Sequence, residues 1–162
     1  MNVYGPQRMD DKLRFLDSLM ELRDRHVDVP WILCGDFNMI KSLSGKKGGT
    51  RTLSKDSTTF QTFIDNMKLV DTGMTNGLFS WNNKIGGESQ VASKLDIFII
   101  SEDLMLTNKE MIVRILPFGG LDHWLVQLEV QGISTPKNRP FRFENIWLTH
   151  PDFISNISKW WT

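Results

Sequence analysis

The residues best suited to chemistry in this chain are polar groups at the ends of apolar runs. The run Trp-Ile-Leu-Cys, predicted to form a buried strand, continues into Gly-Asp-Phe-Asn and brings Asp36 and Asn38 to its end. Because alternate residues of an extended chain share a face, this carboxylate and this carboxamide are expected on one side. Further along, Asp96 precedes one apolar run, and Asp122 and His123 precede another.

Such a set suits phosphodiester hydrolysis, which needs a positioned water, neutralised phosphoryl oxygens and help for the departing oxygen. Carboxylates, an imidazole and a hard cation together supply all three. We therefore expect these five side chains to converge at one pocket mouth, although they lie far apart along the chain. Two plainer alternatives stay open: an Asx-type turn that closes the strand at Asp36, and an outward-facing acid at Asp96.

The elements that must position these groups are helices and strands with loops between them. Helical spacing of apolar residues predicts a helix over residues 9–26 that buries Leu13, Leu16 and Met20, and a second helix from Asp56 that buries Phe60, Phe63, Ile64 and Met67. Strands are predicted at 78–82, 92–100, 111–116 and 124–130, a short helix at 101–107 and a Gly/Ser/Lys-rich loop at 41–55. The predicted class is α+β with a mostly β second half.

Composition sets the limits on class and partners. With 162 residues, 40% of them hydrophobic, the chain is long enough for one globular domain with a core. No apolar run approaches the roughly 20 residues of a membrane span, so we expect an intracellular protein with no membrane partner. Lys+Arg and Asp+Glu both number 19, so any attraction to a polyanion must come from local patches.

Three motifs in order carry a resemblance to a known family: Gly-Asp-Phe-Asn at positions 35–38, Leu-Asp at 95–96 and Asp-His at 122–123. Their order and spacing resemble the endonuclease/exonuclease/phosphatase superfamily, which has the deoxyribonuclease I fold. Within it, the chain is most similar to the endonuclease region of plant LINE-type (non-LTR) retrotransposon polyproteins, through residues 2–6 (NVYGP), 76–83 (NGLFSWNN) and 139–147 (RPFRFENIW). The resemblance implies Mg²⁺ as cofactor and DNA as partner.

The resemblance also implies a role for each motif residue. Asp36 would orient or deprotonate the attacking water, and Asn38 would hold the phosphate. His123 would contact the scissile phosphate, and Asp96 would set its tautomer and steady its charge. Asp122 would lie beside the metal ion.

Further residues are expected at the margin of this site. Tyr4 matches a family tyrosine whose hydroxyl reaches the phosphate, although packing is an equally good account of it. Ser80 and Trp81 resemble a Thr/Ser-aromatic turn at the DNA-facing rim, or could belong to the core. The candidate phosphate-contacting cations lie in the loop after the first motif: Lys46, Lys47 and Arg51. A solvated loop is the alternative for these cations.

The chain departs from the family pattern in several places. Leu121 stands where the family usually has Ser, and Lys94 and Ile97 stand where retroelement enzymes commonly have arginines. The family's first strand with its Asn and its metal-binding Glu have no counterpart in this sequence. Mg²⁺ would then depend on Asp122 alone among the protein's carboxylates, so weak binding and impaired activity are expected.

The expected fold is therefore half of a four-layer α/β/β/α sandwich, with the N-terminal half missing. We expect residues 1–131 to form the C-terminal part of the domain, 132–150 a linker and 151–162 the start of a helical connector. The implied partners are DNA, the missing half-domain and a downstream reverse transcriptase in the full polyprotein, and the implied location is nuclear.

Three functions stay open. The first is Mg²⁺-dependent hydrolysis of DNA. The second is a catalytically inactive remnant or a module that binds nucleic acid or protein. The third is a phosphoesterase acting on inositol lipids or small phosphoesters.

Overall fold

The structure, a computed structural model, describes residues 1–49, 52, 54–107, 110–116, 122–131, 153 and 159. The chain divides into two compact units, Met1–Gly132 and Ile133–Thr162. In the second unit, Phe153 and Lys159 are described and both are helical. The predicted linker at 132–150 lies outside the described residues, as does the remainder of the predicted connector at 151–162.

The first unit mixes helices and strands in an α+β arrangement. Its helices are α1 (Met9–Asp24), α2 (Lys55–Asn66) and α3 (Glu102–Met105). Its strands are β1 (Asn2–Tyr4), β2 (Ile32–Asp36), β3 (Lys46–Lys47), β4 (Leu69–Asp71), β5 (Trp81–Asn82), β6 (Ala92–Ser93), β7 (Asp96–Ser101), β8 (Met111–Leu116) and β9 (Leu125–Val130). None of the described helices is both long enough and apolar enough to cross a bilayer.

Three sheets organise these strands. The largest has the order β1-β2-β7-β4, with β1 parallel to β2 and the other pairs antiparallel. The second sheet has the order β3-β6-β5, and β8 and β9 form an antiparallel pair. Because β2 and β7 lie at the centre of the largest sheet, they provide the rigid base for the polar residues at their ends.

The hydrophobic core joins α1 and α2 to the largest sheet. Leu16 and Leu19 of α1 belong to the same buried cluster as Leu33 of β2. The Phe37 ring, directly after β2, is fully buried and its centroid lies 5.1 Å from that of Phe60 in α2. The residue between Asp36 and Asn38 is therefore anchored in the core, which limits the movement of both polar neighbours.

A partly buried ion pair connects the two long helices. Lys12 Nζ of α1 lies 2.7 Å from Asp56 Oδ2 of α2. Burial alone would raise the pKa of Asp56, but hydrogen bonds from Lys12 and Ser54, with the charge of Lys12, outweigh burial and hold it below the usual 3.8. The pair thus fixes the packing of α1 against α2.

Most predicted elements are confirmed, with three corrections. All four apolar residues predicted for the buried face of the second helix are buried: Phe60, Phe63, Ile64 and Met67. Leu13 is 38% exposed, so its predicted burial is wrong; Leu16, as predicted, and Leu19 are the buried leucines of α1. The predicted loop at 41–55 contains strand β3, because Lys46 and Lys47 pair with β6. The single predicted strand at 92–100 is two strands, β6 and β7, which belong to different sheets.

Candidate active site

Three strand ends meet at one edge of the largest sheet. Tyr4, the last residue of β1, pairs with Asp36, the last residue of β2. Asp36 in turn lies opposite Asp96, the first residue of β7. The Phe37 N–H donates to the carbonyl of Leu95 at 3.0 Å, which extends the pairing by one residue. A phenol and two carboxylates from distant segments are thereby placed side by side.

Gly35 allows this close approach of β1 to β2. Its φ of +135° lies in a region that L side chains rarely adopt, and a Cβ on it would stand 2.0 Å from the carbonyl oxygen of Val3. A larger residue would push β1 away and carry Tyr4 with it. Glycine at this position therefore admits the backbone of β1 beside β2.

His123 lies between the two carboxylates. Its main chain forms an isolated antiparallel bridge with Trp81 of β5, which holds the segment before β9 against the edge strand of the second sheet. Its Nδ1 lies 2.9 Å from Asp96 Oδ2, and its Nε2 lies 4.0 Å from Asp36 Oδ2. A carboxylate accepts only, so the neutral imidazole donates from Nδ1 and leaves Nε2 as an acceptor.

Asp36 is the more buried of the two acids. Its side chain is 8% exposed. Burial is the main cause that raises the pKa of Asp36 above 3.8, and the negative charge of Asp96 raises it further; the Asn38 N–H and the charges of His123 and Lys12 oppose this shift. A carboxylate with a raised pKa is a better proton acceptor, which suits Asp36 to take a proton from water.

The segment after β2 forms an Asx-type turn at Asp36, which is one of the alternatives that the sequence left open. Asn38 has φ +51°, in the left-handed region that Asn tolerates, and its N–H donates to Asp36 Oδ1 at 2.8 Å. Its Nδ2 donates to the carbonyl of Gly5 at 2.6 Å. Asn38 therefore connects the ends of β1 and β2, while Asp36 Oδ2 stays directed toward His123.

Two adjoining cavities surround the imidazole. The first, of about 540 Å³, is lined by Asn2, Val3, Tyr4, Gly35, Asp36, Asp96 and His123. The second, of about 340 Å³, shares Asn2, Gly35, Asp96 and His123 with the first and adds an apolar and aromatic wall that includes Phe98 and Trp124. The Tyr4 side chain is 75% exposed, so its hydroxyl is open to a ligand. Of the described residues that line the first cavity, Tyr4, Asp36, Asp96 and His123 were predicted from the sequence, whereas Asn2, Val3 and Gly35 were not. Asn2 shares a face of β1 with Tyr4 by alternation, which could have identified it.

Asn38 and Asp122 are not among the residues that line these cavities. Asp122 is exposed, and the Trp81 indole N–H donates to its Oδ2 at 3.1 Å. This hydrogen bond is the main reason that the pKa of Asp122 lies below 3.8, with main-chain hydrogen bonds and the charge of His123 adding to it. The Asp122 carbonyl also accepts the N–H of Asn82 at 2.9 Å, so the segment is held to β5.

Carboxylate oxygens are the donors that Mg²⁺ prefers, and it is often held by only one or two of them together with water and substrate oxygens. Among the residues that the structure describes, no group of three His, Cys, Asp or Glu side chains is placed to hold a metal ion. Asp122 keeps one carboxylate oxygen clear of Trp81. The exposed carboxylate of Asp122 is therefore of the donor type that Mg²⁺ prefers.

The remaining sequence-predicted residues have different surroundings. Ser80 is fully buried, and its Oγ accepts the N–H groups of Leu95 and Asp96 at 3.0 and 2.8 Å. Lys46 of β3 and Trp81 of β5 both pair with Ser93, on opposite sides of β6, so both border the same small sheet.

Lys47 is exposed at the end of β3. Arg51 lies outside the described residues. The three predicted phosphate-contacting cations are thus represented in the structure by the two lysines of β3.

No family model matches the chain, and no curated protein sequence matches it.

Proposed function

We propose that this chain carries the acid-imidazole part of a phosphodiesterase site of the endonuclease/exonuclease/phosphatase type and slowly hydrolyses phosphodiester bonds of DNA with Mg²⁺. The observation that carries the proposal is the position of His123 between Asp96 and Asp36 at three converging strand ends. The same residues form the motifs that resemble this superfamily. Half of its four-layer sandwich is then the proposed architecture.

The imidazole has a defined task in this reaction. With Nδ1–H donated to Asp96, the ring is fixed in orientation, and a positive charge on it is steadied by the carboxylate. Nε2 lies 4.0 Å from Asp36 Oδ2, and both residues line the first cavity, where a phosphoryl oxygen would lie. In its protonated form His123 would therefore donate a hydrogen bond to that oxygen and offset charge developing in the transition state.

Asp36 has the complementary task. Its Oδ2 would accept a proton from the attacking water as the new P–O bond forms and the bond to the leaving oxygen breaks, and the leaving oxygen would take a proton from solvent. The hydroxyl of the exposed Tyr4, which lines the same cavity, would donate to a phosphate oxygen. Mg²⁺, when bound, would neutralise charge on the phosphoryl oxygens, with Asp122 as its protein ligand.

The low rate follows from the donor set. With Asp122 as the proposed carboxylate ligand, Mg²⁺ occupancy would be small at ordinary concentrations, so turnover is expected to rise with Mg²⁺ well into the millimolar range. Lys46 and Lys47 on β3 would add phosphate contacts, whose strength falls as salt is increased. Slow, salt-sensitive cleavage is the expected behaviour.

The test compares three substrates under one set of conditions. Purified chain is incubated with supercoiled plasmid, with bis(p-nitrophenyl) phosphate as a plain diester and with p-nitrophenyl phosphate as a monoester, in Mg²⁺ or in EDTA. We expect slow conversion of supercoiled to nicked plasmid in Mg²⁺ only, and no release from the monoester. Faster release from the monoester would favour the phosphoesterase alternative. Plasmid binding without any nicking at stoichiometric protein would favour the non-catalytic one.

A further inference from the structure

Ser80 lies immediately before β5 and is fully buried. The sequence predicts either a position at the rim that faces a substrate or one in the core, and in the structure the Ser80 polar atoms are directed into the protein. Its Oγ accepts the N–H of Asp96 at 2.8 Å and the N–H of Leu95 at 3.0 Å. A hydroxyl oxygen has two acceptor lone pairs, and both are used here.

The main chain of Ser80 makes two further contacts that matter for the site. Its carbonyl accepts the N–H of Trp124, the residue after His123, at 2.7 Å, and its N–H donates to the carbonyl of Ser93 at 3.1 Å. One residue therefore holds the start of β7 through its side chain and the segment of His123 through its backbone. The two partners of the Asp96–His123 hydrogen bond come from segments 27 residues apart.

We propose that Ser80 is a positioning residue, which sets the distance between the Asp96 carboxylate and the His123 imidazole. The inference deepens the proposed function, on which it rests for the reaction that the pair serves. Ser80 touches no substrate and acts through its two neighbours. Without the hydroxyl, the N–H groups of Leu95 and Asp96 lose their acceptor and the start of β7 is free to move away from His123.

The chain offers a matched control in Ser101, at the other end of β7. Ser101 is 1% exposed, and its Oγ accepts the N–H of Trp31 at 2.6 Å. Ser101→Ala therefore removes a buried hydroxyl with a similar main-chain bond from the same strand. It should lower stability as Ser80→Ala does, but it lies away from the acid-imidazole pair.

The experiment reads the His123 ring directly by ¹⁵N NMR of the full chain, using the Nδ1–H signal and its exchange with solvent. In the parent protein we expect the Nδ1–H tautomer. In Ser80→Ala we expect this proton to exchange about tenfold faster, the change that corresponds to one hydrogen bond weakened by roughly 1.4 kcal/mol. Ser80→Thr keeps the hydroxyl and should restore the parent behaviour, and Ser101→Ala should not change it.

If the exchange rate of the His123 Nδ1–H proton in Ser80→Ala equals that in the parent, and the loss of stability equals that in Ser101→Ala, the proposal is overturned. If Ser80→Ala does not fold, Ser80→Cys decides, because sulfur is a weak acceptor of similar position. An exchange rate of the His123 Nδ1–H proton in Ser80→Cys equal to that of the parent would then overturn the proposal. The NMR measurement does not depend on cleavage of DNA. If the parent protein does not nick plasmid but the Nδ1–H exchange rate still responds to Ser80→Ala, the proposed function is refuted and the positioning role of Ser80 stands.

Discussion

Asp96→Asn removes one charge from the candidate site and changes little else. The carboxylate oxygen lies 2.9 Å from His123 Nδ1, and its side chain is 19% exposed, so the hydrogen bond is charge-assisted and only partly screened. The main-chain N–H of Asp96 that donates to Ser80 is retained. The substitution therefore tests the acid-imidazole contact rather than the fold of β7.

The expected magnitude follows from the type of bond. A hydrogen bond to a charged group contributes about 1.5–3 kcal/mol, and each 1.36 kcal/mol corresponds to roughly a factor of ten in rate. Asp96→Asn should therefore lower kcat/KM for phosphodiester cleavage about 10- to 150-fold. An Asn that turns its amide toward Nδ1 also favours the opposite tautomer, which places a proton on Nε2 of the neutral ring. The loss of the Asp96 charge should in addition lower the pKa of Asp36.

The assay is the initial rate of plasmid nicking at several Mg²⁺ concentrations, with the His123 tautomer measured on the same samples. Asp103→Asn is the matched control, because Asp103 is exposed on α3. It should keep the parent rate. A rate within twofold of the parent for Asp96→Asn, with the Nδ1–H tautomer retained, would refute the role assigned to Asp96.

Three further predictions concern charges around the site and core. Lys12→Met leaves Asp56 without its 2.7 Å partner and should lower the free energy of unfolding by about 3 kcal/mol in urea titrations. The double variant Lys12→Met/Asp56→Leu should recover most of this loss, because no carboxylate is then left unpaired. The same loss in the double variant as in the single one would contradict this. Asp36→Asn should raise the free energy of unfolding at neutral pH. The pKa of Asp36 in the folded protein lies above the usual 3.8. The free energy of unfolding of the parent should therefore fall as the pH rises from 3.8 through the folded-state pKa, and the variant should lack this fall. Parallel pH profiles of the two proteins would argue against it. Trp81→Phe removes the indole donor and should raise the pKa of Asp122 toward 3.8 in a carboxyl ¹³C titration, whereas an unchanged titration would disprove that cause.

Several features of the fold follow from the sequence because they depend on local chemistry. Helical spacing identifies the buried face of α2, and the stretch Met111–Leu116 is found as the strand β8 that its apolar run predicts. By contrast, β3 is polar, and it becomes a strand only because β6 offers it a partner. Pairing of that kind depends on distant residues, which local patterns do not contain.

The same division applies to the candidate site. Alternation along the extended chain and the order of the motifs predict Asp36, Asp96 and His123 as site residues. In the structure all three line one cavity. The sequence left both a rim position and a core position open for Ser80, because a serine before a short strand suits a surface turn as well as a buried one. Its surroundings depend on β7 and on the segment before β9, which fold against it from elsewhere in the chain.

The most direct test of the central claim is plasmid nicking by His123→Ala against His26→Ala. His26 is an exposed histidine just beyond α1, so its replacement controls for general loss of an imidazole. We predict slow Mg²⁺-dependent nicking by the parent and by His26→Ala, and none by His123→Ala with its fold intact by circular dichroism. Equal nicking by all three proteins would contradict a phosphodiesterase site built around His123.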